Sequence, residues 1–513
     1  MKIHSYTPFT AAWSAVMHQP LCGVRRHIGT ALAALAFTLA PMMPASATPG
    51  VPGSLDTSFG SGGSTITAVG SSPSIVESIT MQPDGKIVAL GRCLVGGIDN
   101  FCLARYQGNG TLDASFGTAG TVSTLIGTFS RGASVALQSD GKIVAAGACA
   151  GNGVSHFCVA RYLASGLLDA GFGTAGTLST PMDTFVARGQ SVALQPNGKI
   201  VVAGTCGTLG ATSFCLVRFD ANGALDSGFG VAGKLSTLIG NSSEGFSVAL
   251  QPDGKIVVGG TCRIINQLVF CLARYLANGT LDTSFGTAGK RTTPIGSYAT
   301  LRSIALQPSG QIVAAGECTV NSATEFCVVL YQPNSNIEIV RTLLLGRQAN
   351  GYSVAIQPDG RIVVAGACFI DGDLFTSLSC LVRLRADLGS DSSFGTAGSV
   401  STLIGQSSSA TSVVLQPDGK IVVAGSCSEG GNFKFCLARF EGGPSGAQFC
   451  SLDIDGDGRV NATTDTLILN RIALGINTSA AIAGISFPAT ATRNTWPLIR
   501  DYLVSNCGLV LLP

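Results

Sequence analysis

The sequence predicts an all-β fold, a seven-bladed β-propeller of four-stranded blades with one disulfide per blade, followed by a small α-helical domain. Three observations lead to this prediction: one module recurs seven times, each copy contains four short strand candidates, and no helical pattern interrupts residues 54–442. A linear β-solenoid built from the same modules remains the alternative. The propeller is favoured because seven modules can close a ring and neither end carries a polar capping repeat.

The module is marked by a QPDGK-like turn and by an LDxSFG block that precedes it. The glutamine of the turn recurs at intervals of 50 to 59 residues, at Gln82, Gln138, Gln195, Gln251, Gln307, Gln357 and Gln416. The block begins at Leu55, Leu112, Leu168, Leu225 and Leu281. A unit that starts at Leu55 and ends near Gly442 therefore occurs in seven complete copies, which assigns residues 48–442 to the propeller.

Residues Ser247–Tyr275 show the core of one unit, SVALQPDGKIVVGGTCRIINQLVFCLARY. SVAL and KIVVGG are β-branched and apolar, and the Pro-Asp-Gly between them supplies the backbone angles of a tight hairpin turn. FCLARY is the next strand. We expect Cys262 and Cys271 to lie opposite each other, which sets Gly260 against Ala273 and Val258 against Tyr275.

Cysteine usage indicates disulfides. Sixteen of the 17 cysteines fall into neighbouring pairs, and Cys22 is the exception. The pairs are Cys93 with Cys102, Cys149 with Cys158, Cys206 with Cys215, Cys262 with Cys271, Cys318 with Cys327, Cys368 with Cys380, Cys427 with Cys436, and Cys450 with Cys507. Zinc thiolates are the alternative, but the CxxC spacing and the histidines of zinc sites are missing.

Together, ALQPDGKIVVAG, FCLARY and LDxSFGxxG resemble the delta-60 repeat family of exported bacterial proteins, over nearly all of the chain between the N-terminal segment and residue 443. The resemblance implies a repeat architecture and export, and it brings no catalytic residues. The sixth unit departs from the pattern, because Ile337–Leu345 reads IEIVRTLLL where the LDxSFG block belongs. We interpret this as drift or as a specialised contact surface.

Antiparallel strand order places the connections on two rims. The PDGK turns and the LDxSFG blocks, which repeat closely, share one rim, here the constant rim. The loops between paired cysteines and the links such as GTFSRGA share the other, the varied rim. Loops on a rigid scaffold commonly carry recognition, so we expect the varied rim to bind a partner, with unconstrained drift as the alternative. Polar residues in these loops are Asp99, His156, Arg263, Glu325, Asp371, Asp373 and Lys434.

Recurring charges on the constant rim have a structural explanation. Asp56, Asp113, Asp169, Asp226 and Asp282 belong to the LDxSFG blocks, and Arg105, Arg161, Arg218, Arg274, Arg383 and Arg439 belong to the third strands. Positions that repeat in every unit serve the repeated structure, so we expect each Asp to cap or bridge a turn and each Arg to satisfy that Asp or its own blade. A ring of functional sites is the alternative.

Residues 1–47 have the pattern of a signal peptide. Arg25 and Arg26 precede an apolar run, and Ala45-Ser46-Ala47 provides small residues for cleavage; Met17 is an alternative start. Removal of this segment takes away three cations and no acid, leaving 28 Lys and Arg against 29 Asp and Glu. That balance argues against nucleic-acid binding, and no other stretch is long enough to span a membrane. His156 would be the last histidine, which argues against His-rich metal sites.

After a linker at residues 443–449, residues 450–513 form a separate module. The run DIDGDGRVNATTD carries oxygen ligands at the alternate spacing that suits Ca²⁺, at Asp453, Asp455, Asp457, Arg459 through its carbonyl, Asn461 and Asp465. It resembles the first half of a dockerin-type module, an EF-hand-like loop before a helix at Thr464–Leu474. The twelfth position holds Thr464 instead of an acid. A second helix, expected at Arg493–Val504, lacks an acidic loop, which argues against cohesin binding.

The residues favour a secreted or cell-surface binding or scaffold protein that presents variable loops on one rim and docks through a calcium-stabilised module. Its partner would be an extracellular protein or glycan. An enzyme acting on extracellular polysaccharide, of the glycoside hydrolase or lyase type, is the alternative. No converging set of acids or nucleophile with base is evident, so the sequence favours binding and names no catalytic residue.

Overall fold

The computed structural model describes residues 50–443 apart from 152, 183–184, 334 and 370–375. Near the C-terminus it describes residues 454, 463–473, 476, 479–488, 491 and 493–507. The first range folds into seven antiparallel four-stranded sheets, each of which is one blade of a propeller. The predicted all-β propeller is confirmed.

The strands follow one another from the inner strand at the central axis to the outer strand at the periphery. Strand β1 (Ser64–Thr67) precedes blade 1, which contains β2 (Ser71–Met81), β3 (Ile87–Val95), β4 (Ile98–Tyr106) and β5 (Thr121–Thr124). Blade 2 contains β6 (Ser130–Leu137), β7 (Ile143–Gly151), β8 (Val154–Tyr162) and β9 (Thr177–Thr180). Blade 3 contains β10 (Val186–Leu194), β11 (Ile200–Thr208), β12 (Ala211–Phe219) and β13 (Lys234–Thr237). Blade 4 contains β14 (Ser242–Leu250), β15 (Ile256–Ile264), β16 (Gln267–Tyr275) and β17 (Lys290–Thr293).

Blade 5 contains β18 (Tyr298–Leu306), β19 (Ile312–Val320), β20 (Ala323–Tyr331) and β21 (Glu338–Leu343). Blade 6 contains β22 (Gln348–Ile356), β23 (Ile362–Phe369), β24 (Ser377–Leu384) and β25 (Ser399–Thr402). Blade 7 contains β26 (Ser407–Leu415), β27 (Ile421–Glu429) and β28 (Asn432–Phe440). Among the described residues, strand β21 is the longest outer strand, and it lies in the segment that departs from the repeat pattern.

Blade 7 is completed by strand β1, which comes from the beginning of the propeller sequence. Strand β1 pairs antiparallel with β28, with Ser64 opposite Ala438 and Thr67 opposite Phe435. The sequence repeat, counted from Leu55, is therefore offset from the blade by one strand. We expected one repeat to form one blade, and this prediction is wrong at the blade boundaries. Each outer strand folds back onto the blade before it, so the first one has a partner only if the ring closes. This pairing excludes the open solenoid.

The two middle strands of each blade are buried on both faces. The core between blades 3 and 4, for example, joins Val201 and Phe214 to Val258 and Val269. Strands covered by neighbours on both faces need continuous apolar runs, which explains why IVVAG and FCLAR do not alternate with polar residues. Burial between adjacent sheets is thus the main stabilising contribution to the ring.

The seven propeller disulfides form as predicted, but their register differs. Gly260 lies opposite Cys271 and Cys262 opposite Val269, so the two cysteines bridge diagonally, with their Cα atoms 5.8 Å apart. We predicted that the two cysteines lie directly opposite each other, and this prediction is wrong because the strand register differs from it by two residues. Two-residue turns set the register, and in blade 1 both turn residues adopt positive φ, Gly96 at 59° and Gly97 at 81°. The paired side chains keep the faces expected for them.

A ring of serine hydrogen bonds links the inner strands. The backbone N–H of Val135 in blade 2 donates to the hydroxyl of Ser78 in blade 1, at 3.2 Å. The other links join Val192 to Ser134, Val248 to Ser191, Ile304 to Ser247, Val354 to Ser303, Val413 to Ser353 and Ile79 to Ser412, at 3.1–3.3 Å. The last link joins blade 1 to blade 7. These bonds fix the height of each inner strand relative to its neighbours.

Arginine clamps hold neighbouring blades together on the constant rim. In blade 4, Arg274 Nε donates to the Asp282 carboxylate at 2.8 Å, and its Nη1 donates to the Pro333 carbonyl of blade 5. The guanidinium lies over the Phe285 ring, 4.6 Å from its centroid, and Ser284 caps the same carboxylate. The same clamp recurs as Arg105 with Asp113, Arg161 with Asp169, Arg218 with Asp226, Arg383 with Asp391 and Arg439 with Asp56.

The structural role expected for the recurring Asp and Arg residues is confirmed, with two additions. Each arginine also reaches the next blade, and Asp391 belongs to the set although the sequence prediction omitted it. The seam from blade 5 to blade 6 lacks the clamp, because Leu330 occupies the arginine position. There the Gln307 side chain donates to the carbonyl of Ala386, which is the acceptor equivalent to Pro333.

The C-terminal residues form helix α1 (Asp465–Ala473), a short 3₁₀ turn (Ser479–Ile482) and helix α2 (Trp496–Cys507). Ile454, Ile468, Ile499 and Leu503 are buried together in a small core of their own. The two predicted helices are present, each with bounds shifted by up to three residues. Residues 1–47, the linker and both Cys450 and the side chain of Cys507 lie outside the described part.

We predict that Arg274→Ala destabilises the propeller by about 3–5 kcal/mol, because it leaves the buried Asp282 carboxylate without its partner. The double variant R274L/D282N should recover more than half of this loss, since leucine fills the same position in blade 5 and the charge is removed. Urea denaturation of both variants and of the wild type measures the difference. A double variant as unstable as the single one would contradict this explanation.

Candidate binding site in the central channel

Each inner strand contains a bulge that turns one side chain into the central channel. In blade 4, Gly245 lies opposite Gly260 and Ser247 opposite Gly259, so Phe246 has no partner across the sheet. The extra residue of a bulge bends the strand and redirects its own side chain. The seven bulge residues are Glu77, Ala133, Gln190, Phe246, Arg302, Tyr352 and Thr411.

Glycine on the second strand makes the bulge possible. A Cβ atom on Gly260 would lie 1.9 Å from the carbonyl oxygen of Glu244 on the bulged strand. The corresponding atom on Gly91 would lie 1.8 Å from the Ile75 carbonyl oxygen. The backbones therefore approach too closely for any side chain, which explains the glycine that ends the repeated IVVAG segment.

All seven bulge residues line one cavity of about 590 Å³. Further lining comes from Arg92, Phe129, Arg131, Ser155 and Arg188, among others. Arg92 and Ser155 belong to the ends of the middle strands next to the cysteine-bridged hairpins, so the cavity opens towards the varied rim. Its size is that of a small-molecule site, and its lining differs in every blade.

Blades 1 to 3 give the cavity a cationic side. The Asp99 carboxylate accepts from Arg131 at 2.7 Å and lies 3.5 Å from Arg92, so two guanidinium groups share one carboxylate. Arg131 also lies over the Phe129 ring, 5.8 Å from its centroid. Arg188 is exposed at the cavity and makes no ion pair with any residue that the structure describes. A ligand therefore meets guanidinium donors that the protein does not fully satisfy.

Glu77 is the bulge residue of blade 1 and an unusual acid. Its side chain is accessible from the channel, yet the blades enclose it, and this enclosure raises its pKa from 4.5 to about 7 against the opposing effect of Arg92 and Arg131. Near neutral pH the carboxyl group is thus divided between its protonated and ionised forms. It can donate a hydrogen bond or carry a charge in the same cavity.

Blades 4 to 6 contribute a neutral, aromatic side. The Arg302 guanidinium lies over the Phe246 ring, 5.1 Å from its centroid, and binds the buried Glu317 carboxylate at 2.9 Å. Burial raises the pKa of Glu317 in spite of Arg302. Burial, with Glu317 nearby, also raises the pKa of Tyr352, which keeps its hydroxyl protonated. This arrangement offers ring faces and a phenol without a net charge.

The polar residues that the sequence singled out on the varied rim do not converge. Asp99 is not part of the lining of the channel cavity, but it pairs with Arg92 and Arg131, which are. Arg263 lines a smaller cavity of about 170 Å³ that shares Phe246 and Arg302 with the channel cavity. Lys434 pairs with Glu429 on its own hairpin, and Glu325 lies opposite Cys318. Asp371 and Asp373 lie outside the described residues. The hairpin loops are also shorter than expected, because most of the residues between paired cysteines belong to the strands.

His156 is unsuited to a catalytic triad. Its Nδ1 lies 2.7 Å from the hydroxyl of Ser179 on the outer strand β9. No carboxylate is among its described contacts. The pair lies at the periphery of blade 2 and is absent from the lining of the channel cavity.

Sequence reasoning missed the bulge residues, although a signal for them exists. The serine of the SVAL strand is the same in all seven copies, whereas the residue before it is different in each. A variable position directly beside an invariant serine indicates a side chain that does not pack in the blade. Only the bulge reveals that these seven positions face one another.

The predicted calcium ligands Asp453, Asp455, Asp457, Arg459 and Asn461 lie outside the described residues, as does the side chain of Asp465. What the structure shows is the two ends of the loop. Ile454 is buried in the small C-terminal core, and Thr464 is 3% exposed directly before helix α1. Arg493 Nε donates to the Ile454 carbonyl at 2.9 Å. The described residues at the two ends of this segment, Ile454 and Thr464, are therefore both buried.

Comparison with known proteins supports the repeat family. The family model of a β-propeller domain of unknown function, DUF5122, matches residues 82–116, 138–172, 195–229, 251–285 and 416–442. These matches agree with the resemblance to delta-60 repeats. No curated protein matches the chain.

Several solved structures are similar at low identity. A protein of unknown function from Dyadobacter fermentans is 13% identical, with a TM-score of 0.40 and coverage of 74% of this chain and 99% of that one. Sqt1 from Chaetomium thermophilum is 13% identical, with a TM-score of 0.39 and coverage of 74% and 100%. The polysaccharide lyase Uly1 is 12% identical, with a TM-score of 0.43 and coverage of 75% and 92%. At these values the similarity gives no indication of function.

We predict that Glu77 makes the propeller less stable as the pH rises from about 4.5 to about 7. The folded protein holds this proton more tightly than the unfolded chain, so ionisation of Glu77 costs stability across that window. In E77Q this loss should be absent, so the stability of the variant relative to wild type should rise with pH and then level off. Urea denaturation at pH 4.5, 5.5, 6.5 and 7.5 measures it.

Glu244→Gln is the matched control, because Glu244 is an exposed acid on the inner strand of blade 4. This variant should keep the pH dependence of the wild type, since Glu77 is intact. A parallel pH profile for wild type and E77Q would contradict the raised pKa of Glu77.

Proposed function

We propose that this protein is an exported binding protein that takes its ligand into the mouth of the central channel on the varied rim. The observation that carries the proposal is the set of seven bulge residues. All are different, and all line one cavity of about 590 Å³, whereas the serine that follows each of them is the same in every blade. A rigid scaffold with one diversified concave surface is the usual arrangement of a recognition site.

Export is part of this proposal. The signal-peptide pattern of residues 1–47 supports it, as do the seven disulfides, which form and persist in oxidising compartments. Among the described residues, no helix is long and apolar enough to cross a membrane. The protein would act outside the cytoplasm, either free or at the cell surface.

The channel supports binding more strongly than the hairpin tips do. The tips expose isolated apolar side chains such as Leu209 and Ile265, at 80% and 78% exposure. Side chains on separate convex tips cannot enclose a ligand. Phe246 and Tyr352 lie in the concave cavity instead, where contacts from several blades converge and water is excluded.

The test is a binding screen of residues 48–513 on arrays of glycans and extracellular proteins, followed by titration calorimetry. F246A/Y352A should weaken binding at least about tenfold, because central aromatic side chains commonly contribute most of the affinity. L209A/I265A is the matched control and should stay within about twofold of wild type. Loss of binding in the control alone would move the site to the hairpin tips. Absence of any ligand would indicate a purely structural protein.

An enzyme acting on extracellular polysaccharide is the second candidate, and Glu77 is the observation in its favour. An acid that titrates near pH 7 inside a cavity is suited to general acid–base catalysis. Glu317, the acid that pairs with Arg302 of this cavity, is already engaged by that guanidinium. If polysaccharide is cleaved and E77Q abolishes turnover but leaves binding intact, the protein is an enzyme; binding without turnover supports the first proposal.

We propose further that the acidic loop of the C-terminal module binds Ca²⁺ and stabilises a docking or attachment domain. The buried ends of the segment, Ile454 and Thr464, and the helix that begins at Asp465 support this assignment. With Thr464 in place of the bidentate acid, affinity should be that of an extracellular module, with a Kd of about 10⁻⁴ to 10⁻³ M.

Calorimetric titration of residues 48–513 with CaCl₂ tests this assignment. D453N/D455N/D457N should abolish the heat of binding, whereas D387N, which changes an exposed carboxylate on the propeller, should leave it unchanged. Absence of binding at about 10 mM CaCl₂, tenfold above the expected range, would refute the calcium site.

A further inference from the structure

The cavity on the channel carries more guanidinium groups than carboxylates to neutralise them. Asp99 is shared by Arg92 and Arg131, which leaves one positive charge from this group of three. Arg188 adds a second, because it has no ion-pair partner among the described residues. In a concave site with low-dielectric walls, such an excess attracts anions and repels cations.

Apart from Glu77, the remaining lining is uncharged or internally neutralised. Arg302 is balanced by Glu317, and Gln190 is an amide that both donates and accepts hydrogen bonds. Phe246 and Tyr352 present aromatic faces of the kind that pack against the C–H face of a sugar ring. The site therefore combines a region for one carboxylate with a region for a ring that carries hydroxyl groups.

We infer that the ligand of the channel is a sugar acid, a saccharide unit whose carboxylate is bound by Arg188 and Arg131. This inference rests on the proposed function and names its ligand class. Planar guanidinium groups match a carboxylate in two-point geometry, and the amide and phenol of the lining match the hydroxyl groups. A monoanion suits the site because the uncompensated charge is small and Glu77 lies in the same cavity.

The same charges make binding sensitive to pH. Glu77 is faced by Arg92 and Arg131, and Asp99 lies behind them. On the other blades, Arg188 has no ion-pair partner among the described residues, and Arg302, Glu317 and Tyr352 form a neutral group. When Glu77 ionises, it adds a negative charge beside the bound carboxylate. Affinity for a sugar acid should therefore fall by about tenfold between pH 5.5 and pH 8, the size of a typical coupling between neighbouring sites.

The experiment is calorimetric titration of residues 48–513 with galacturonic, glucuronic and mannuronic acids and with the trimers of their polymers. The neutral sugars galactose, glucose and mannose, with neutral trimers, are the matched ligands. We expect an acid to bind at least about tenfold more tightly than its neutral counterpart, because the neutral sugar leaves the arginines unpaired. Comparing the affinity for the monomer with that for the trimer distinguishes a free sugar acid from the end of an acidic polysaccharide as the ligand.

Arg188→Thr is the diagnostic variant, because Thr300 occupies the same position in blade 5 and the blade tolerates it. It should lower affinity for the acid by about tenfold and leave that for the neutral sugar unchanged. Arg263→Thr, outside the cavity, is the control and should change neither. E77Q should keep wild-type affinity at pH 5.5 and lose the decline at pH 8.

Equal binding of acidic and neutral sugars would overturn the ligand class and leave the proposed binding function intact. Failure of all three acids, with another ligand found on the arrays, would do the same. If none of the acids binds and the screen finds no ligand, both the ligand class and the proposed binding function are refuted. An R188T variant with unchanged affinity for the acid would overturn the assigned role of the guanidinium.

Discussion

The inner-strand bulge is the constraint on which the rest of the propeller depends. It requires a glycine on the adjacent strand, because a Cβ on Gly260 would lie 1.9 Å from the carbonyl oxygen of Glu244. It places a serine directly after the bulge, and that serine accepts the N–H of the next blade. The same backbone irregularity therefore sets the spacing of the blades. It also turns one side chain per blade, which has no partner across the sheet, into the channel.

The two rims are held together by different interactions. On the constant rim, carboxylate, guanidinium and aromatic ring form one buried unit at six of the seven seams, and the guanidinium bridges to the next blade. Such a pair is costly to break, which keeps these positions alike from copy to copy. Towards the varied rim the hairpins are held by diagonal disulfides instead. The side chains near the channel mouth belong neither to the arginine clamps nor to the disulfides, so they can differ from blade to blade.

The seam between blades 5 and 6 shows how the ring accommodates a departure. Leu330 removes the guanidinium, Gln307 takes over the contact with the Ala386 carbonyl, and the outer strand β21 lengthens. Ile339 and Val340 of that strand are 43% and 42% exposed. The seam thus replaces a charged clamp by a neutral hydrogen bond. Its exposed apolar strand fits drift or a contact surface equally well.

The sequence by itself determined what is decided within a few residues. Turn chemistry, apolar strands, nearby cysteine partners and the pairing of five of the six clamp arginines with an Asp eight residues away all depend on local contacts, and the structure confirms them. The number of repeats, seven, also favoured closure into a ring. Even Asp391, which we overlooked, has a local signal in its Asp-Ser-Ser-Phe-Gly segment.

Only the tertiary structure decided which strand completes blade 7, which register the cysteines adopt and which residues meet in the channel. β1 and β28 are separated by nearly the whole propeller, and Glu77, Gln190 and Phe246 by whole blades. No local pattern brings such residues together, because their contact follows from closure of the ring. The site therefore appears only when seven separate bulges share one axis.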